Sequence, residues 1–360
     1  MDKDLFRLYV DSLLSTFSKS TATSVSAMVE GAYSHDDITR FLANNQLSSR
    51  DLWYQVKSIV RAIESDYGII IVDDSISHKP HMDENDIVCW HYDHASGKSI
   101  KGINIVSVLY HSQGLSIPVA YTVVKKTERS IDSTTGKEKR FSAQTKNEHF
   151  RTMLAKSAKN MQFRYVLSDV WYASVENMKY IKDTLRRDFV MPLKTNRKVA
   201  LSAAEKRSGK YVTVETLQPK VNEHLTVYLE GLTFPVRLVR QVFTNKDQSQ
   251  GVLYLVCSDI TLTYQHITDL YQKRWKIEEY HKALKQQCAL SCSPAHSVKT
   301  QSSHIFCSLC AFVKLELMHR ITTVSYEGLK LNLHLRALKT AFKHLRSLQP
   351  LDWTTKPIFA

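Results

Sequence analysis

Residues 67–79, YGIIIVDDSISHK, mark the point at which helical patterns are replaced by strand patterns. The four β-branched residues Ile69–Val72 include no polar side chain, which predicts a strand buried on both faces. Asp73 and Asp74 follow at the carboxyl end of this run. Because successive side chains of a strand point to opposite faces, we expect only one of the two carboxylates to face a site. The stretch therefore predicts the central strand of an α/β fold, with a working carboxylate at its end.

A second apolar run also ends in an aspartate. Residues 164–172, RYVLSDVWY, predict a strand that ends at Asp169. Before it, residues 103–124 predict a β-hairpin, and the polar residues 125–145 predict a loop. Residues 189–257 contain several short strand patterns in succession, which predicts a β-rich insertion. Two carboxylates thus lie at converging ends of predicted strands.

A third carboxylate lies in residues 271–285, YQKRWKIEEYHKALK. The stretch lacks Pro and Gly and predicts one continuous helix. At about 100° per residue, Tyr271, Glu278 and Lys285 fall nearly on one line. Arg274 precedes Glu278 by four residues, which is the less favourable orientation for a stabilising ion pair. A working carboxylate among anion-binding groups therefore explains this helix better than a surface salt bridge does.

The charge of the chain favours a polyanionic partner. The formal net charge is +14, from 49 Lys and Arg against 35 Asp and Glu. Residues 1–66 carry a net charge of −2, whereas residues 261–360 carry +8. Nucleic acid is the first expectation and an acidic membrane surface the second. No apolar run approaches the length of a membrane span and the N-terminus lacks a secretory apolar segment, so we expect a cytoplasmic protein.

The patterns divide the chain into segments. Residues 1–66 predict a helical N-terminal domain, in which two short helices at about 23–31 and 35–44 have helix–turn–helix spacing. The alternative is a small helical bundle, which the negative charge of this region favours. The other predicted segments are a first part of the α/β core (67–188), a β-rich insertion (189–258), a second part of the core with the Glu278 helix (259–320) and a basic helical tail (321–360).

Two patterns raise zinc as an alternative ligand. His91, Asp93 and His94 form a short His- and Asp-containing cluster, but no further ligands follow at suitable spacing. Cys307 and Cys310 lie in an apolar helical stretch, where cysteines three residues apart usually belong to the core. We therefore do not expect a zinc site.

Taken together, these motifs resemble those of DDE-type bacterial insertion-sequence transposases. Residues 271–285 match the Y-x2-R-x3-E-x6-K signature of that family, and IVDDSISH and VLSDVWYASVENM resemble the segments that carry its two aspartates. The resemblance covers about residues 67–310. It implies an RNase H-like catalytic core with a mixed sheet, interrupted by a β-rich insertion before the catalytic helix.

The resemblance also implies the site. Asp74, Asp169 and Glu278 would be the catalytic metal ligands, holding two Mg²⁺ ions for which Mn²⁺ can substitute. We choose Asp74 over Asp73 because the family's catalytic aspartate is followed directly by Ser or Thr, as it is here by Ser75. Arg suits bidentate phosphate contacts and Lys suits point-charge contacts. The expected DNA-binding side chains are Tyr271, Arg274, Lys285, Lys282, Lys98 and Lys101.

The implied function is DNA transposition. Such an enzyme cleaves DNA at the element's ends and joins the 3′-OH ends to target DNA. Its partners would be double-stranded DNA, namely terminal inverted repeats and target DNA, and a second copy of the chain in a dimer or higher oligomer. It would act in the bacterial cytoplasm at the nucleoid. The alternatives are a structure-specific Mg²⁺-dependent nuclease on the same fold and a domesticated DNA-binding protein without catalysis.

A base-stacking aromatic in the insertion is a further expectation from the resemblance. The sequence does not choose among the candidates, which are Tyr228, Phe234, Phe243 and Tyr254. Trp171 and Trp275 neighbour the proposed ligands, and we expect both to pack in the core.

Overall fold

The structure is a computed structural model that describes residues 2–93, 96–131, 133, 136, 138–220, 222–244 and 247–348. The helices are α1 (Lys3–Ser15), α2 (Ala22–Met28), α3 (His35–Asn44), α4 (Ser49–Ile63), α5 (Lys146–Asn160), α6 (Val175–Lys179), α7 (Ala203–Arg207), α8 (Val214–Leu217), α9 (Tyr264–Gln272), α10 (Trp275–Gln286), α11 (Val298–Thr322) and α12 (Tyr326–Ser347). The strands are β1 (Ile69–His78), β2 (Cys89–Asp93), β3 (Lys98–Ser112), β4 (Leu115–Val123), β5 (Glu128–Ile131), β6 (Glu138–Phe141), β7 (Tyr165–Ser168), β8 (Asp188–Leu193), β9 (Lys198–Ala200), β10 (Val212–Thr213), β11 (His224–Leu229), β12 (Val236–Thr244) and β13 (Gln250–Cys257).

The centre of the fold is a mixed sheet built around β1. Its strand order is β10-β9-β11-β12-β13-β8-β7-β1-β3-β2, and β4 also pairs with β3. β1 is antiparallel to β3 and parallel to β7, and β7 is parallel to β8. With neighbours on both edges and layers on both faces, Ile69–Val72 are buried, as their apolar run predicts. The predicted α/β core with a mixed sheet is confirmed.

The β-rich insertion extends the same sheet. β13 pairs antiparallel with β8, and β12, β11, β9 and β10 follow outward. The predicted hairpin at residues 103–124 is also confirmed as β3 and β4. Its tight turn places Gln113 at φ +50° and Gly114 at φ +78°, which is the left-handed pair that a two-residue hairpin turn needs.

Two expectations about local structure are wrong. Residues 125–145 do not form a continuous loop, because β5 and β6 pair as a second, exposed hairpin. Residues 271–285 do not form one helix, because the chain divides into α9 and α10 at Lys273 and Arg274. There the amides of Lys273, Arg274, Lys276 and Ile277 donate to carbonyls three residues back, which tightens the turn as in a 3₁₀-helix.

The four N-terminal helices share their core with the rest of the chain. The two predicted short helices are present as α2 and α3, and Ser34 caps α3 in a reciprocal pair of hydrogen bonds with Asp37. α1 and α3 pack on α11, and α4 packs on β4. Their buried side chains belong to one continuous apolar cluster with those of the sheet. The division into domains stays a prediction.

A buried polar chain joins α1 to α11 and to the segment that follows α10. The Tyr9 hydroxyl pairs with His304 Nδ1 of α11 at 2.9 Å, and His304 Nε2 pairs with the carbonyl of Ala289 at 2.9 Å. Both partners are neutral in this arrangement if Tyr9 donates to Nδ1 and Nε2–H donates to the carbonyl.

Every helix among the described residues is too short or too polar to cross a lipid bilayer.

Tyr9→Phe tests this shared core. The substitution leaves the buried His304 nitrogen without its partner, so we expect the free energy of unfolding to fall by about 1–3 kcal/mol in chemical denaturation. Tyr67→Phe, at a position 72% exposed, is the control and should change little. A loss confined to a separate early transition, with the rest of the chain unaffected, would contradict a shared core.

Candidate metal centre

Five carboxylates line one cavity of about 470 Å³, and one of them, Asp93, ends β2. Asp73 and Asp74 come from β1, Asp169 directly follows β7, and Glu278 lies in the first turn of α10. Both aspartates of β1 line the cavity, so the expectation that strand alternation separates them is wrong. The Asp74 amide donates to Asp73 Oδ1 at 2.8 Å, which bends the Asp73 side chain along the strand.

The chain holds Asp169 through the turn that it caps. Its Oδ1 accepts hydrogen bonds from the amides of Trp171, at 3.1 Å, and Tyr172, at 3.4 Å. Burial raises the pKa of Asp169, and the nearby Asp74 carboxylate raises it further. The parallel pairing of β1 with β7 brings this turn beside Asp73 in the middle of β1, which continues past the two aspartates to His78.

Asp74 is saturated by donors from the protein. Its Oδ2 accepts from Lys146 Nζ at 2.7 Å and from Asn104 Nδ2 at 2.6 Å, and its Oδ1 accepts from the Tyr172 hydroxyl at 2.9 Å. Burial acts to raise the pKa of Asp74, but Lys146 and the two other donors hold it below its ordinary value. Asp74 is therefore an ionised carboxylate with a resident ammonium beside it.

Asp73 is in the opposite situation. Apart from the amide of the next residue, no donor is recorded for its carboxylate among the described residues. Burial raises its pKa to about 8, and the carboxylates of Asp169, Asp74 and Glu278 add to the rise. Mutual repulsion of this kind is relieved when a cation is bound.

The ligand atoms of Asp73, Glu278 and His281 all lie within 4.8 Å of one another. His281 follows Glu278 by one helical turn on α10 and is buried. Burial lowers its pKa to about 3, with the charge of Lys285 contributing, so the imidazole is neutral at physiological pH. Carboxylate oxygens and a neutral imidazole are donors for divalent cations. The residues therefore fit a divalent metal.

The expected DNA-binding residues fall into three groups. Lys282 and Lys285 line the carboxylate cavity. Lys282 pairs with Glu327 of α12 at 2.8 Å, and burial lowers the pKa of Lys285. Lys98 and Lys101 do not line this cavity, and the Lys101 ammonium lies 6.0 Å from the centre of the Trp90 ring.

Tyr271 and Arg274 line a neighbouring cavity of about 640 Å³ between α9, α10 and the insertion. Arg274 links the two cavities, because its Nη1 lies 3.1 Å from Glu278 Oε1 while its guanidinium lies 5.6 Å from the centre of the Tyr271 ring. Of the four stacking candidates, Phe243 lines this second cavity. Trp275 lines it as well and is 60% exposed.

Other expectations near the site have mixed outcomes. Trp171 and Trp275 are half-exposed or more, so the expectation that both pack in the core is wrong. Cys307 and Cys310 are buried in α11, as expected of core cysteines. His94 lies outside the described residues.

Sequence reasoning missed two side chains of the site. His281 had a signal, because Glu-x-x-His places both side chains on one helix face, one turn apart. Lys146 had none, since it follows the polar segment 125–145 and meets Asp74 from 72 positions away in the chain.

Comparison with known proteins places the chain in a family. The sequence profile of the DDE superfamily endonuclease family matches residues 2–212, more than half of the chain. The chain belongs to the DDE superfamily endonuclease family. The expected relationship to DDE enzymes and the RNase H-like fold class are thereby confirmed, and family membership supports a metal-dependent DNA nuclease.

The profile match of this DDE endonuclease ends before residues 271–285, so the roles of its third carboxylate and its signature residues stay predictions. No curated protein is significantly similar in sequence. Among solved structures, Ciona intestinalis endonuclease V in complex with a 24mer DNA containing an inosine followed by a ribo-adenosine is similar over 60% of this chain and 85% of that chain. The two are 11% identical, with a TM-score of 0.27.

Asp73→Asn and Asp74→Asn should have opposite effects on the metal-free DDE endonuclease. Asp73→Asn removes a half-buried charge that no side chain pairs with among the described residues, so it should raise Tm by about 2 °C or more. Asp74→Asn leaves Lys146 without its counter-ion and should lower Tm. Because the pKa of Asp73 in the folded protein is about 8, above its ordinary value, ionisation of Asp73 destabilises the fold as pH rises. The gain from Asp73→Asn should therefore be larger near pH ~8 than near pH ~5.

Thermal melts in a chelator measure both variants. Asp259→Asn is the matched control, because this buried carboxylate is paired with Arg164 at 2.7 Å and with the Tyr165 hydroxyl at 3.0 Å, and its loss should lower Tm at both pH values. A lower Tm for Asp73→Asn at pH ~8 would show that Asp73 has a partner that offsets its charge.

Proposed function

We propose that this DDE endonuclease is a DNA transposase of a bacterial insertion sequence. It cleaves DNA at the element's ends and joins the freed 3′-OH ends to target DNA. The observation that carries the proposal is that carboxylates from β1, from the turn after β7 and from α10 converge on one cavity, with Lys282 and Lys285 on its wall. Phosphodiester chemistry needs carboxylates for the metals and cations for the phosphates at the same place.

Asp169, Glu278 and the Asp73–Asp74 pair are the residues that would hold the metals, with Mg²⁺ as the expected ion and Mn²⁺ as its substitute. Two bound divalent ions supply activation of the attacking oxygen and stabilisation of the leaving oxygen. The choice of Asp74 follows the sequence resemblance, whereas the proximity of Asp73 to Glu278 supports Asp73. For Asp74 to bind an ion through Oδ2, Lys146 Nζ would have to leave its position 2.7 Å away.

The cationic side chains have separate tasks in this proposal. Lys285 is exposed on the cavity wall, about two helical turns after Glu278, and offers its ammonium to a phosphate that enters the cavity. Arg274 orients Glu278 through the 3.1 Å contact and presents its remaining donors to the neighbouring cavity. The Tyr271 ring packs against the Arg274 guanidinium and helps to hold it in position. Guanidinium groups suit this double contact because their donors diverge in one plane.

The wider assembly follows from the reaction. Two element ends must be joined, so a dimer or higher oligomer on DNA is proposed. The +8 charge of residues 261–360 supports DNA binding by the C-terminal third. Whether α2 and α3 read inverted-repeat sequence as a helix–turn–helix stays a prediction, as does activity at the nucleoid. A silent DNA-binding protein is disfavoured, because it gains nothing from the half-buried Asp73 carboxylate, which has no side-chain donor among the described residues.

Glu278→Gln should abolish Mg²⁺-dependent cleavage of element-end DNA, with a loss of about 10³-fold or more, because the amide is a poorer metal ligand. DNA binding, measured by fluorescence anisotropy, should stay close to that of the wild type. Glu279→Gln is the matched control: Glu279 pairs with Lys276 at 2.9 Å and does not line the cavity. Normal cleavage by Glu278→Gln would remove Glu278 from the metal site.

A strand-transfer assay with pre-cleaved ends separates transposase from structure-specific nuclease. A transposase should convert labelled 3′-OH ends into joined products with target DNA, in a metal-dependent reaction that Glu278→Gln also lacks. Cleavage without any joined product, under conditions in which both DNA ends are bound, would favour the nuclease. Terminal inverted repeats in the DNA that flanks the gene provide the independent check.

A further inference from the structure

His281 has an unpaired nitrogen at the metal cavity. The residue is 7% exposed, and its Nε2 is buried without a hydrogen-bond partner among the described residues. It lines the carboxylate cavity with Glu278, one helical turn before it. Buried polar atoms are normally paired, so an orphan of this kind calls for an explanation.

A second buried histidine of the same chain shows what a structural role looks like. His304 is fully buried, and both of its nitrogens are paired, one with Tyr9 and the other with the Ala289 carbonyl. His281 has no such arrangement around Nε2. The His281 ring lies 5.3 Å from the Tyr280 ring. This contact packs the imidazole but gives its Nε2 no hydrogen bond. A purely structural role accounts for His304 and not for His281.

We propose that His281 is a nitrogen ligand of a divalent cation that Glu278 and Asp73 also bind. The inference rests on the proposed function in one respect, namely that a divalent metal occupies this cavity. Three equidistant atoms bound to one ion at roughly 2.0–2.2 Å lie at most about 3.8 Å apart. The three ligand atoms lie within 4.8 Å of one another, so side-chain shifts of about 0.6 Å or less bring them to the outer limit of this range.

A nitrogen ligand changes which metal the site prefers. Mg²⁺ takes oxygen ligands almost exclusively, whereas Mn²⁺ and the later transition metals accept imidazole readily. The site should therefore bind Mn²⁺ more tightly than Mg²⁺ by a margin that depends on the imidazole.

The test is pulsed electron paramagnetic resonance of Mn²⁺ bound to the full chain without DNA. Electron spin-echo modulation from a directly bound ¹⁴N should be present in the wild-type protein and absent in His281→Gln. His91→Gln is the matched control. His91 is also buried with an unpaired Nε2, but it lies outside the three-residue cluster, so this variant should keep the signal. Loss of the signal in His91→Gln but not in His281→Gln overturns the proposal.

Calorimetric titration gives a second measurement. His281→Gln should weaken Mn²⁺ binding by about tenfold or more, while Mg²⁺ binding changes far less. Equal changes for both ions overturn the proposal. If His281→Gln does not fold, the ¹⁴N modulation in the Mn²⁺ spectrum of the wild-type protein tests the proposal by itself. Mn²⁺ bound without ¹⁴N modulation overturns the role of His281 and leaves the carboxylate site intact, whereas no Mn²⁺ binding at all overturns this proposal and the proposed metal site together.

Discussion

Electrostatic repulsion among the carboxylates that meet at the middle of β1 is the constraint on which the metal cavity depends. The parallel pairing of β1 with β7 brings Asp169 beside Asp73 and Asp74, and α10 adds Glu278. Placing several like charges in a half-buried cavity destabilises a fold unless cations offset them. The surrounding sheet, with Ile69–Val72 buried at its centre, supplies the rigid frame that keeps these groups together.

The two neighbouring aspartates differ in how far the surrounding residues offset their charge. Asp74 is neutralised internally by Lys146 and held by two further donors, so it is stable without any bound ion. Asp73 has no such help and has a raised pKa. Asp74 therefore fixes the local geometry of β1, while Asp73 remains available to an external cation. Strained, unsatisfied groups at a well-packed scaffold are typical of sites retained for function rather than for stability.

Much of this could be predicted from local patterns. The continuous apolar run of β1, the hairpin of β3 and β4, and the capped helices α2 and α3 all depend on residues close in the chain, and each is present. The position of Lys146 could not be predicted, because its contact with Asp74 is set by how α5 packs against the sheet. The break between α9 and α10 has no Pro or Gly to announce it. Asp73 and Asp74 both line the cavity because of a side-chain rotation that strand periodicity does not describe.

The packing of the N-terminal helices on α11 and β4 has a consequence for how the protein can be dissected. The Phe6 ring of α1 packs at 5.9 Å from the Phe306 ring of α11, tilted by 42°, and removal of residues 1–66 would leave this apolar surface in water. A shortened chain would then associate through that surface and report on aggregation rather than on DNA recognition. α11 also contacts α10. The N-terminal helices therefore connect to the helix that carries Glu278 through side-chain packing.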